Sequence, residues 1–301
     1  MNKNKKRIML TTAEGQAIKA EKDFIIFHTN SVAPDIFSFD WVFSDSSVMT
    51  VDWGDGSSFE THATILSHSY SNSGIKTVKL SCPNPDKLKY FNSNDDNNLV
   101  GIMPSFIKFK NLEEFYIGTG SLVGNFPSFS GLSSLLVADI WENQLTGNLP
   151  SFENCPSLSQ IDCDTNQLSG TIPSLESNVN LRTFYAWNNS FSDIMPGCFA
   201  TQKTFIQCTL YNNLLTAQAV DSILHDFVVS LSIPDRVIMG PPPSRGVWLD
   251  GTGNSAPTIT GMEDYNTLIA AGWNVQINQP EPDKHYILTV HNAGSGQTGT
   301  F

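Results

Sequence analysis

Positive charge is scarce in this chain. Seventeen lysines and arginines stand against 29 aspartates and glutamates, a formal net charge of −12 over 301 residues. Such a surface repels nucleic acid and anionic membranes, so neither is expected as a partner. No apolar run approaches the roughly 18 residues a membrane helix needs, and no membrane insertion is expected. Cysteine is limited to Cys82, Cys155, Cys163, Cys198 and Cys208. Their number is odd and no pair has zinc spacing. They read as small buried apolar residues rather than disulfides or metal ligands.

Catalytic signatures are missing as well. There is no Gly-x-Ser-x-Gly, Walker or His-Glu-x-x-His motif, and the six histidines are scattered. Gly294-Ser-Gly296-Gln-Thr-Gly299 has dinucleotide-loop spacing. That loop needs a helix after it and an acidic residue about 20 positions on. Only Thr300 and Phe301 follow, so the segment reads as a polar tail. We expect no enzyme, no catalytic residue and no cofactor. A carboxylate pair for glycan cleavage is the minor alternative.

What the sequence does contain is a period. Pro104, Pro127, Pro150, Pro173 and Pro196 recur every 23 residues. Each closes a short phrase, such as Gly147-Asn-Leu-Pro150 or Gly170-Thr-Ile-Pro173. Counting from each proline, apolar columns emerge: Leu112, Leu135, Leu158 and Leu181; Phe115, Ala138, Ile161 and Phe184; Ile117, Ile140, Cys163 and Ala186; Leu122, Leu145, Leu168 and Phe191. Asn143, Asn166 and Asn189 form a polar column whose side chains can bridge successive coils. A fixed period in the twenties predicts a solenoid in which each repeat buries its apolar face against its neighbours.

The clearest copy is Leu158-Ser-Gln-Ile161-Asp-Cys163-Asp-Thr-Asn166-Gln-Leu168-Ser-Gly170-Thr-Ile172-Pro173. It resembles the leucine-rich repeat, in the Gly-x-Ile-Pro subtype of plant receptors that also occurs in bacteria and their viruses. The expected fold class is therefore an α/β repeat, a leucine-rich repeat solenoid shaped as a β-rich horseshoe. It would carry an N-terminal β-sandwich-like module and a C-terminal α/β cap. The boundaries read as an arm over 1–23, a sandwich module over 24–82, repeats over 83–230, a cap over 231–280 and a tail over 281–301.

The sandwich module resembles the polycystic-kidney-disease (PKD) type. The residues that carry this are Val51-Asp-Trp-Gly-Asp-Gly56, His68-Ser-Tyr70 and Gly74-Ile-Lys-Thr-Val78. That family serves as a spacer or adhesion unit. Asp52 and Asp55 are the only calcium candidates, set against the Asx-turn hydrogen bonds that two aspartates in a turn usually make.

Strand parity sends the residues ten, twelve and fourteen after each proline to the concave face. Tyr116, Asp139, Trp141, Asp162, Asp164, Tyr185, Trp187 and Tyr211 fall there and form the candidate ligand site. Aromatic platforms beside carboxylates suit sugar rings, and aromatics also dominate protein interfaces. They can also simply cover a sheet. The basic cluster Lys3, Lys5, Lys6 and Arg7 is the candidate anchor to a larger assembly. The apolar stretch after it, Ile8-Met-Leu10, is too short for a secretory leader. Together these features lead us to expect an adhesion protein on a bacteriophage virion, beside other virion structural proteins, that binds a host surface glycan or protein. A secreted or cell-surface bacterial adhesin is the alternative.

Overall fold

The computed structural model describes residues 24–31, 36–93, 98–234 and 245–280. The expected anchor Lys3, Lys5, Lys6 and Arg7, residue Asn94, most of the Pro241–Arg245 loop and the Gly294–Gly299 tail lie outside them.

Six strands come first: β1 (Phe24–Ser31), β2 (Ile36–Phe43), β3 (Met49–Asp52), β4 (Glu60–His62), β5 (Ile65–Ser69) and β6 (Gly74–Ser81). The repeats then alternate inner and outer strands. These are β7 (Leu88–Asn92) and β8 (Leu99–Ile102), β9 (Glu114–Tyr116) and β10 (Ser121–Asn125), β11 (Val137–Asp139) and β12 (Gln144–Gly147), β13 (Gln160–Asp162) and β14 (Gln167–Ile172), β15 (Thr183–Tyr185) and β16 (Ser190–Ile194). The C-terminal part holds β17 (Gln207–Thr209), α1 (Ala217–Ser230), β18 (Gly246–Trp248), α2 (Ile259–Ala270) and β19 (Asn274–Gln276).

Two sheets face one another. The inner sheet runs β5-β2-β7-β9-β11-β13-β15-β17-β18-β19, and the outer sheet runs β4-β3-β6-β1-β8-β10-β12-β14-β16. Inner neighbours from β7 onward are parallel and pair one repeat apart, as Ile161 pairs with Ala138 and Phe184. This is a leucine-rich repeat solenoid. Each proline phrase ends an outer strand, and its glycine takes positive φ, 78° at both Gly147 and Gly170. The last copy puts Asp193 at that place, and the β14–β16 register shifts by one residue there. The extra residue makes the next coil longer by one, so that Phe184 pairs with Cys208 rather than with the residue 23 positions on.

The N-terminal strands are fused to this stack. Antiparallel pairing of β2 with β7 joins them to the inner sheet, and β1 with β8 to the outer. The cores are continuous too. Phe27 and Phe39 meet Phe91 at 6.0 and 5.9 Å, Phe91 meets Phe115 at 5.9 Å, and Phe115 meets Phe129 at 5.3 Å. Phe106, Phe129 and Phe152, two residues after their prolines, form a further buried column on the convex side. At the other end β18 and β19 extend the inner sheet, with α1 and α2 packed together. Phe199, Phe227 and Trp273 close that end at 5.4 and 5.3 Å.

The edge strands β4 and β5 have no counterpart in the sequence reading. Cys163 and Cys208 are buried on their core columns, and all five cysteines are free.

The asparagine column forms a ladder of side-chain bridges. The Asn166 amide donates to Ile140 O of the preceding coil at 3.0 Å, and its Oδ1 accepts from Leu145 N at 3.0 Å. Asn143, Asn189 and Asn213 repeat the pattern. Asn254 adds a further rung, bridging Leu210 O at 2.9 Å and Leu215 N at 3.0 Å. We therefore expect Asn166→Ala to cost at least about 2 kcal/mol, because it strands several buried backbone groups. Leu168→Ala should cost about 2–5 kcal/mol through its cavity. Urea melts measure both, and losses under about 0.5 kcal/mol would refute the repeat register. A chain beginning at residue 83 would bare Phe91 and Phe106. It should unfold or aggregate rather than keep an intact solenoid, as judged by circular dichroism and size exclusion.

Candidate functional site

Register places the expected residues side by side. One concave column runs Asn92, Tyr116, Asp139, Asp162, Tyr185, Thr209, Trp248 and Gln276 from β7 to β19. Two residues on, Gly118, Trp141, Asp164, Trp187 and Tyr211 form the next column. Asp162 and Asp164 therefore share one coil, with Asp139 beside Asp162 on the previous one.

The rings do not stand free. Trp141 lies over Gly118, where even a single methyl would sit 2.5 Å from the indole. Trp187 stacks on Tyr211 at 5.6 Å and 10°, and Tyr185 meets it edge-on at 5.9 Å. Trp141 thus leans to one side of Asp164, and Trp187 has its stacking partner on the other. The two tryptophans are two strands apart, about 10 Å along the sheet. Their rings are half-buried, less open than an outward column implies.

The carboxylates depart further from that expectation. Asp139, Asp162 and Asp164 are only 7, 9 and 3% exposed. None of them joins an ion pair among the described residues. Asp162 Oδ1 accepts from Asp164 N at 3.2 Å, and Asp139 Oδ2 accepts from Gln160 Nε2 at 3.3 Å. Asp139 Oδ1 is buried with no hydrogen-bond partner. Burial raises Asp139 to about 7, with the Asp164 charge adding to it and the Gln160 bond opposing. Burial, then Asp164 and Asp139, push Asp162 well above the usual range. Asp164 is also raised, first by burial. Burial raises Tyr185 and Tyr211 too, with nearby aspartates contributing. Tyr116 gives its hydroxyl to Glu114 at 2.9 Å.

Gln160, Thr209 and Trp248 complete the face; of these the sequence reading places only Thr209 there, through a one-residue slip of the copy after Pro196. Gln160 lies in the column ten residues after its proline. Trp248 continues the twelve-residue column past the last proline-marked coil, where counting from prolines no longer reaches.

Asp52 and Asp55 behave as turn residues. Asp52 Oδ1 accepts from Gly54 N at 3.0 Å, and Asp55 Oδ1 from Ser57 N at 3.0 Å. Asp52 also lies 3.7 Å from Lys79. His68 stacks on Trp53 at 4.9 Å and bonds Asp55 at 2.8 Å, while Tyr70 donates to Trp53 O at 2.8 Å. Burial works against the charged form of Asp55, but bonds from Ser57 and His68 outweigh it and hold the carboxyl below its ordinary value. These groups make a structural knot. No described helix is long and apolar enough to cross a membrane.

No family model matches the chain, and no curated protein is similar to it. Several solved plant ectodomains are similar over part of it. The plant peptide hormone receptor RGFR1, in complex with RGF2, is 31% identical over 39% of this chain and 19% of its own, with a TM-score of 0.37. The leucine-rich repeat ectodomain of the Arabidopsis receptor kinase HAESA, with an IDA peptide hormone ligand, is 28% identical over 42% and 22%, also at 0.37. The SOBIR1 ectodomain from Arabidopsis thaliana is 22% identical over 48% and 76%, at 0.36. The chain spans about a fifth of the first two. The fold assignment rests on the strand pairing above.

The acid cluster makes stability depend on pH. Folding holds protons on Asp139, Asp162 and Asp164 that the unfolded chain releases near pH 4. Their contribution is fully present below that value and is lost as pH rises through the raised folded values, about 7 for Asp139. Asp55 titrates below this window. We expect Asp162→Asn to raise the melting temperature at pH 8 and leave it nearly unchanged at pH 4. Equal shifts at both pH values would show that the cluster is not strained.

Proposed function

We propose that this protein is a non-enzymatic recognition module that docks a protein or peptide on its concave face. One observation carries the reading. Five neighbouring coils, β9 to β17, gather Tyr116, Trp141, Tyr185, Trp187 and Tyr211 around three buried aspartates that the fold itself does not pair. Aromatic side chains supply large contact area at low entropic cost and recur as interface hot spots. The open face offers a long contact surface.

A glycan is the second reading, because indole rings can stack on sugars. It is weaker, since Trp187 already stacks on Tyr211 and Trp141 rests on the Gly118 backbone. The site would serve equally on a bacteriophage virion, among other virion structural proteins, and on a bacterial cell surface.

Selection from a random peptide display library, run beside a glycan array, tests this. Selected peptides should bind Trp141→Ala and Trp187→Ala about tenfold more weakly than the parent. They should be unaffected by Ile102→Ser on the outer sheet, where Ile102 is 74% exposed. Binders indifferent to both tryptophans would move the site off the concave face. Glycan hits lost in the tryptophan variants would replace the peptide with a sugar.

A further inference from the structure

We infer that the ligand presents an organic cation, a guanidinium or ammonium group, to the slot formed by Asp139, Asp162 and Asp164. This rests on the concave face being the docking surface and adds the chemistry of the anchor.

The first argument is charge. From β2 to β19 the outward columns carry Asp40, Glu114, Asp139, Asp162, Asp164 and Asp250 and, among the described residues, no lysine, arginine or histidine; Lys89, at the margin beside Tyr90 and Glu114, is already paired with Glu113 at 2.6 Å. Like charges directly opposite each other on adjacent strands destabilise a sheet. Here Asp139 faces Asp162, Asp164 sits on the same coil, and Glu142 lies close enough to raise Asp164 further. Any apolar pair at those positions would stack better. Local rules broken without a compensating contact inside the fold mark functional positions.

The second argument is the unmet hydrogen bonding. Asp139 is more than nine-tenths buried, its Oδ2 is held by Gln160, and its Oδ1 has no partner. That carboxylate oxygen accepts hydrogen bonds, and a guanidinium offers five N–H donors in a planar fork.

The third argument is the walls. Trp141 stands on one side, and Tyr185, Trp187 and Tyr211 on the other. Ring faces attract cations, and more strongly when water is excluded. A metal ion would want oxygens converging on one point. Among the described residues no three acidic, histidine or cysteine groups converge in that way. An aromatic-walled slot over carboxylates fits a flat organic cation instead.

The probe is N-acetyl-arginine amide, with N-acetyl-citrulline amide as its uncharged isostere and calcium chloride as a metal arm. All are compared at pH 8 and equal ionic strength. Ligand binding to the folded state raises the melting temperature by mass action. The arginine compound should raise it by several degrees more than the citrulline compound. Asp162→Asn and Asp164→Asn, which keep side-chain shape, should abolish the difference, while Ile102→Ser should not. Equal shifts from the arginine and citrulline compounds would overturn the inference, as would a shift produced only by calcium. Peptides that depend on both tryptophans yet contain no arginine or lysine would also overturn it, while leaving the docking surface standing.

Discussion

Where an inner strand turns outward, some amides keep a partner on the next coil, as Glu142 N does with Asp164 O at 3.1 Å, but others, such as Leu145 N and Ile140 O, meet a side chain instead. Buried groups of this kind are costly unless paired. The asparagine column pairs them, because one amide side chain donates to carbonyls of its own coil and the coil behind and accepts from an outer-strand amide of that preceding coil. The turn before each asparagine is left-handed, with φ of 47° at Glu142, 49° at Thr165 and 51° at Asn188. Mostly unsuitable residues hold that strained conformation, so the bonds that follow must over-determine it. The period of 23 is thus a hydrogen-bonding constraint as much as a packing one.

The same constraint explains why both ends are built as they are. A solenoid coil cannot bury its face alone, so a terminal coil needs a cover. The N-terminal strands provide one by continuing both sheets, and the phenylalanine chain from Phe39 through Phe91 to Phe129 leaves no seam between them. At the C-terminal end Asn254 and Asn278 prolong the polar bridging after the leucine pattern has faded. Asn278 donates to Gly251 O at 2.8 Å and to Asn254 O at 2.7 Å. The helices α1 and α2 then supply the bulk that convex side chains supply elsewhere.

Columns were legible in the sequence because burial repeated at fixed distance from a proline. Leu168, Phe184 and Cys163 could be placed in the core for that reason. Lateral neighbours followed directly, so Asp162 between Asp139 and Tyr185 was readable in advance. Depth was not. Parity tells which side of a sheet a residue faces, and burial on that side depends on how large neighbours lean. Trp141 leans over Gly118 because a glycine happens to stand one coil back, and Asp139, Asp162 and Asp164 lie deeper than parity alone implies. The edge strands β4 and β5 were hidden for another reason. Glu60–His62 is polar throughout, and an edge strand needs no apolar alternation because water satisfies its free side.

Depth is also what gives the acid cluster its meaning. At the surface, three aspartates on two strands would be solvated and unremarkable on so acidic a chain. Buried between rings, they have either to keep protons above the ordinary carboxylate range or to share a cation from outside. The first course leaves a carboxylic acid, a weak acceptor, beneath an aromatic wall. The second converts the desolvation that burdens the free protein into stronger attraction for a charged partner, since the effective dielectric there is low. The free fold carries the strain, and a cationic ligand of the kind proposed would relieve it. The energy set aside in the free state becomes selectivity, because a neutral ligand of the same shape would leave the aspartates as they were.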